Sequence, residues 1–134
     1  MGVSLARPTG CRRPLGGQLY GNKWLSTTDT LLLLRSLGLE PSHPQAQRAC
    51  QELLEGGWRP GGALCYARTR ETSDNGVTAM VLAVLSYFGC PDARIHAIAN
   101  HLVRQQQADG RWEPYAGTSN LRYTYDATLL VLDA

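Results

Sequence analysis

The sequence predicts an all-α protein of helical hairpins, in which wholly apolar helices alternate with two-faced ones around a common centre. Apolar residues recur in helix-length segments, while glycine and proline sit between those segments. The order of segment types also returns, since placing Gly38 on Gly89 matches Leu31 with Leu82, Leu34 with Leu85 and Thr27 with Thr78, a period of 51 residues. A helix apolar on all sides belongs to an inner layer, and one with a single apolar stripe to an outer layer that shields it. With 134 residues, 43% of them apolar, the chain has material for one cored domain.

Each element follows from local chemistry. Residues 1–19 carry glycine, proline and arginine without periodicity and are expected to form a mobile arm ahead of a domain over 20–134. Ser26 to Thr28 offer N-cap hydroxyls before Leu31 to Leu34 and Leu37, and Gly38 is placed to end that helix in a left-handed cap. Ala46, Ala49, Cys50, Leu53 and Leu54 follow at i, i+3, i+4, i+7 and i+8, which predicts an amphipathic helix stopping at Gly56-Gly57. Asp74 can cap a third helix, apolar nearly all round from Val77 to Phe88 and closed by Gly89 and Pro91. Such a helix must be enclosed. Ile95, Ile98, Ala99, Leu102 and Val103 repeat the amphipathic spacing up to Asp109-Gly110, and Asp126 precedes a final apolar segment, Ala127 to Leu132.

Thirteen basic and eleven acidic residues leave a formal charge of +2, which gives no electrostatic reason to expect nucleic acid as a partner. The longest apolar run, Ala79 to Leu85, falls far short of the roughly 20 residues a membrane span needs. No transmembrane segment and a cytoplasmic location are the expectations. Cys11, Cys50, Cys65 and Cys90 form no C-x-x-C pair and have no histidine at ligand spacing, so packed thiols are expected, with no metal and no cofactor.

Three tryptophans close successive units: Trp24 after Gly21, Trp58 after Gly56-Gly57, and Trp112 in the stretch Gln106 to Trp112. A glutamine in the last turn of a helix, followed by glycine and tryptophan, can bond free backbone groups and tie one hairpin to the next. Gln106, Gly110 and Trp112 match Q-x(2–5)-G-x-W, the QW motif, and on these residues the chain resembles the squalene cyclase, terpenoid cyclase and protein prenyltransferase repeat superfamily. The junctions Lys23 to Thr27 and Tyr125 to Leu129 look like loop-to-inner-helix junctions of that family, and the resemblance covers about residues 20–134. It implies an α/α toroid whose inner helices line a cavity for isoprenoid chains. This chain would supply a fragment of about two and a half hairpins.

The family's chemistry is testable residue by residue. Protonating an alkene, a very weak base, takes a carboxyl held beside another carboxylate and away from water, which the family's D-x-D-D motif provides. No two acidic residues are adjacent here. Asp29, Asp74 and Asp126 each lie near the start of an apolar helix, where a proton donor would sit, with helix capping as the competing role. The D-D-x-x-D motif that holds magnesium is missing. So is a zinc triad of Asp, Cys and His: Asp74 and Cys65 are loosely spaced, and His96 and His101 read as surface or packed side chains. Arg59, Arg68 and Arg70 in the long loop could clamp an anionic group, with a solvated loop as the alternative.

An open arc exposes the flank of an inner helix, some four large apolar side chains at ~1.5–3 kcal/mol each, so self-association or a partner chain is expected to cover it. Three readings remain open. The chain is a cyclase-like or prenyltransferase-like segment with an apolar isoprenoid-type cavity and no catalysis of its own, a non-catalytic binding or interaction module using the cavity or helix edge, or an unrelated helical bundle.

Overall fold

A computed structural model describes residues 18–21, 25–66, 73–115 and 120–134. Among them are five helices and no strand: α1 (Thr27–Ser36), α2 (Pro44–Gly57), α3 (Asn75–Tyr87), α4 (Arg94–Arg104) and α5 (Leu121–Asp133). None is long and apolar enough to cross a membrane.

The helix starts share one device. Ser26, Asp74 and Asn120 are the N-caps of α1, α3 and α5, and the side-chain oxygen of each accepts a backbone N–H of the first turn. Four residues beyond each cap stands a threonine, Thr30, Thr78 or Thr124, whose hydroxyl donates back to the carbonyl of the cap residue at 2.8, 2.8 and 3.2 Å. α1 and α3 end as expected, on Gly38 at φ +75° and Gly89 at φ +59°, conformations that glycine alone adopts cheaply.

α3 is the hub. It packs against all four other helices, most extensively α5, and Val77, Thr78, Ala79, Val81, Leu82, Ala83, Val84 and Leu85 are all buried. The enclosure expected of an all-apolar helix is therefore met. α1 lies beside α3 through Thr27, Thr28 and Leu31, but its Leu33 and Leu37 remain exposed. α2 and α4 are amphipathic: Ala46, Ala49, Cys50, Leu53 and Leu54 of α2 and Ile98 and Leu102 of α4 enter the core. Val103, counted on the apolar stripe from spacing, is exposed instead, because the buried arc of α4 is only wide enough for Ile98 and Leu102 with Ile95 and Ala99 half in.

Two expectations change. α5 begins at Leu121, not after Asp126, because Asn120 caps it, and Asp126 sits in its second turn. Arg122, Tyr123 and Tyr125 face outward there and disguise a helical start. Of the expected arm, residues 1–17 lie outside the described residues, whereas Gln18 and Leu19 belong to the domain: their carbonyls accept the N–H groups of Thr27 and Thr28 at 2.7 and 3.1 Å.

Cys50, Cys65 and Cys90 are buried. Burial, helped by nearby Cys90, pushes the Cys50 thiol up to about 12. Such a thiol is an inert packing group.

Candidate ligand-binding cleft

Capping, hydrogen bonding and helix direction together build one site. α1, α3 and α5 all direct their N-terminal halves toward a half-open cleft of about 440 Å³. Its floor is apolar, made by Val77 and Met80 of α3 with Ala127 and Leu130 of α5, and Gly76 lets α5 approach closely: a Cβ there would stand 3.3 Å from a Leu130 methyl. Its rim is polar. Asp29, Asp74 and Asp126, far apart in sequence, all line it, together with Tyr20 and Tyr123.

The three carboxylates differ in what holds them. Asp74 Oδ1 accepts the N–H groups of Gly76 and Val77 at 2.8 and 3.2 Å, the bonds of an N-cap. Asp29 sits three residues past its cap; its Oδ2 accepts the Ser26 hydroxyl at 2.8 Å, while Ser26 Oγ accepts the Asp29 N–H at 3.2 Å. Both act in helix initiation. Asp126 is exposed and makes no hydrogen bond or ion pair among the described residues. The Tyr20 hydroxyl is raised above its ordinary value by burial first, and then by the charges of Asp74 and Asp29.

The wall of the cleft is fastened by the loop after α4. Asn75 donates its backbone N–H to the Pro114 carbonyl at 2.6 Å and its amide to the Glu113 carbonyl at 2.7 Å. Trp112, buried, donates its indole N–H to the Leu102 carbonyl in α4 at 2.6 Å and its backbone N–H to Thr128 Oγ1 in α5 at 3.0 Å. Gln106 is exposed and closes its own turn by donating to the Gly110 carbonyl at 3.0 Å, with Gly110 at φ +86°. One residue, through its indole and its backbone, thus joins the fourth helix to the fifth.

The other candidates stand elsewhere. Trp58 is half-buried at the end of α2, where the Arg94 guanidinium lies 5.7 Å from its ring centroid. Arg59 is exposed and donates to the Trp58 carbonyl at 2.8 Å, away from the cleft lining. Trp24, Arg68 and Arg70 lie outside the described residues. His101, on α4, has a buried Nε2 with no hydrogen-bond partner among the described residues, and burial, then Arg104, lowers its titration below the ordinary imidazole value. Among the described residues no cluster of three or more His, Cys, Asp or Glu side chains is placed to hold a metal ion.

Reading the chain linearly misses Tyr20, Tyr123 and Pro114 as cleft residues, since only folding brings them to the aspartates. The start of α5 did carry a signal, the cap-to-threonine spacing that α1 and α3 also show. Compared with models of known protein families, with curated protein sequences and with solved structures, the chain matches none.

Proposed function

We propose that this chain is an arc of an α/α toroid of the terpenoid cyclase and prenyltransferase kind, and that its cleft binds a small isoprenoid-type molecule without transforming it. The observation that carries the reading is the convergence of Asp29, Asp74 and Asp126 around an apolar floor formed by α3 and α5. A volume of about 440 Å³ lies within the range of small-molecule sites, roughly 300–1,000 Å³, which are mainly apolar with a few placed polar groups. The layering of buried α3 between α1 and α5, with α2 and α4 amphipathic, agrees with an arc.

The rim selects the ligand's polar end. Three carboxylates repel a diphosphate, whereas an alcohol can donate its proton to a carboxylate oxygen. Asp29 and Asp74 spend their oxygens on helix starts, and neither belongs to a D-x-D-D run, the arrangement the resembled family uses for alkene protonation. Binding is the role that remains.

Titration of the native chain with geraniol and with geranyl diphosphate, followed by NMR of the Met80 methyl, tests this. Geraniol should shift that methyl and the diphosphate should bind at least tenfold more weakly. Met80→Lys, which puts a charge on the apolar floor, should abolish the response while the chain keeps its helical circular dichroism. Equal binding of both compounds, or indifference to Met80→Lys, would sink the reading.

A further inference from the structure

The turn that follows α2 sits on α4 more closely than any side chain would allow. Trp58 and Leu64 form an antiparallel bridge, the Arg59 N–H donates to the Ala63 carbonyl at 3.0 Å, and Gly61 and Gly62 reverse the chain at φ +89° and +93°. Gly62 is buried: a Cβ there would lie 2.1 Å from the Ala97 carbonyl oxygen and 3.0 Å from Cβ of His101. Further along α4, Arg104 donates to the Gly61 carbonyl at 3.0 Å. The turn therefore rests on Ala97, His101 and Arg104, which at i, i+4 and i+7 form one flank of the helix. None of the three lines the cleft.

His101 is the weak point of that seat, because its Nε2 is buried with no hydrogen-bond partner among the described residues. A neutral imidazole tolerates this, whereas an imidazolium carries a proton on both nitrogens and needs an acceptor for each. No carboxylate among the described residues bonds it. α3, packed along α4, has no charged side chain from Asn75 to Tyr87. The turn brings Arg59, whose guanidinium is on the Trp58 carbonyl, and α2 brings Arg48, Glu52 and Glu55, the last bonded to Arg94 of α4. The loop after α4 brings Asp109, which pairs with Arg111, and Glu113. α4 itself adds His96 and Arg104; burial, then the Arg104 charge, lowers the His101 titration below its ordinary 6.5. We infer that the Gly61–Gly62 turn is an acid-released latch: protonating His101 obliges Nε2 to reach water, so the turn lifts off Ala97 and Arg104 gives up the Gly61 carbonyl. The seated turn binds fewer protons than the lifted one. Its hold is complete above 6.5 and declines as pH falls from there through the lowered value. Linkage makes the relation reciprocal, since a turn that cannot seat must let His101 take up its proton at the ordinary value.

NMR titration of the native chain through the histidine range reads both sides of the latch at once. The His101 ring resonance should titrate below 6.5, and the Gly61 and Gly62 amide resonances should move with the same midpoint. His43 and His96, both exposed, give reference resonances in the same chain. Gly62→Ala, which blocks the seat on the Ala97 carbonyl, should return the His101 midpoint to about 6.5. His101→Gln should hold the two glycine amides at their neutral-pH positions throughout. A native His101 midpoint at 6.5, glycine amides that follow another midpoint, or a His101 midpoint untouched by Gly62→Ala would each overturn the latch. If Gly62→Ala fails to fold, the native titration and His101→Gln decide.

Discussion

Trp112 and Trp58 close comparable units of the chain and are used in opposite ways. Trp112 is buried, with its indole N–H on the Leu102 carbonyl and its backbone N–H on Thr128, so a single residue ties α4 to α5, one bond from the side chain and one from the backbone. Trp58 is half-buried at the end of α2 and serves as a platform for Arg94, whose guanidinium also bonds Glu55 at 2.6 Å and Asp92 at 2.7 Å. One junction is covalent chain threaded through a dry contact; the other is a wet cluster of charge on a ring. Energetically the first should dominate, because burial and hydrogen bonds in the interior outweigh screened surface charge.

The sharpest way to break this comparison is Trp112→Ala, which removes a buried aromatic and should lower unfolding free energy by roughly 3–5 kcal/mol in urea denaturation. Trp58→Ala should cost only about 1–2 kcal/mol, losing half-buried surface and the cation–π contact. If the two variants unfold at the same midpoint, the distinction is lost. Thr128→Val isolates the polar half of the Trp112 tie: its shape is kept, the backbone N–H of Trp112 loses its acceptor, and a cost of about 1–2 kcal/mol is expected by the same assay.

The smallest effect belongs to the charge cluster and has a pH signature. The side-chain hydrogen bond from Arg94, then its backbone N–H, holds the Asp92 carboxyl down to about 2, below its ordinary 3.8. A carboxyl lowered in the folded state contributes stability that is complete above the unfolded value and disappears as pH falls from about 4 to about 2. Asp92→Asn should therefore flatten the acid limb of a plot of urea midpoint against pH and leave the limb above pH 5 parallel to the native one. An unchanged acid limb would remove Asp92 from the junction.

Much of the fold was legible because its elements obey short-range rules. Asp74 before Val77 to Phe88, and glycines at 38 and 89, mark helix ends by capping chemistry that needs no knowledge of distant residues. Periodicity makes α5 too short because its first turn and a half mixes an arginine and two outward tyrosines, so the apolar pattern starts late even though the helix does not. The candidate site was half legible. The sequence marks the three aspartates near the starts of apolar segments, but that they line one cleft depends on how α1, α3 and α5 pack together. Arg59 shows the converse: its residue type suits an anion clamp, yet its guanidinium is turned onto the carbonyl of the residue before it.

The two helix starts at the cleft have an electrical consequence for it. The start of a helix carries about half a unit of positive charge, and Asp29 in the first turn of α1 and Asp74 at the cap of α3 set a carboxylate of the cleft lining against each of these two poles. Changing Asp29 and Asp74 to asparagine would unmask those two poles and make the mouth less repellent to an anion, while Asp126, in the second turn of α5, adds its charge without capping a helix. The aspartates thus act as a set of counterweights, and their number decides which sign of molecule the opening admits.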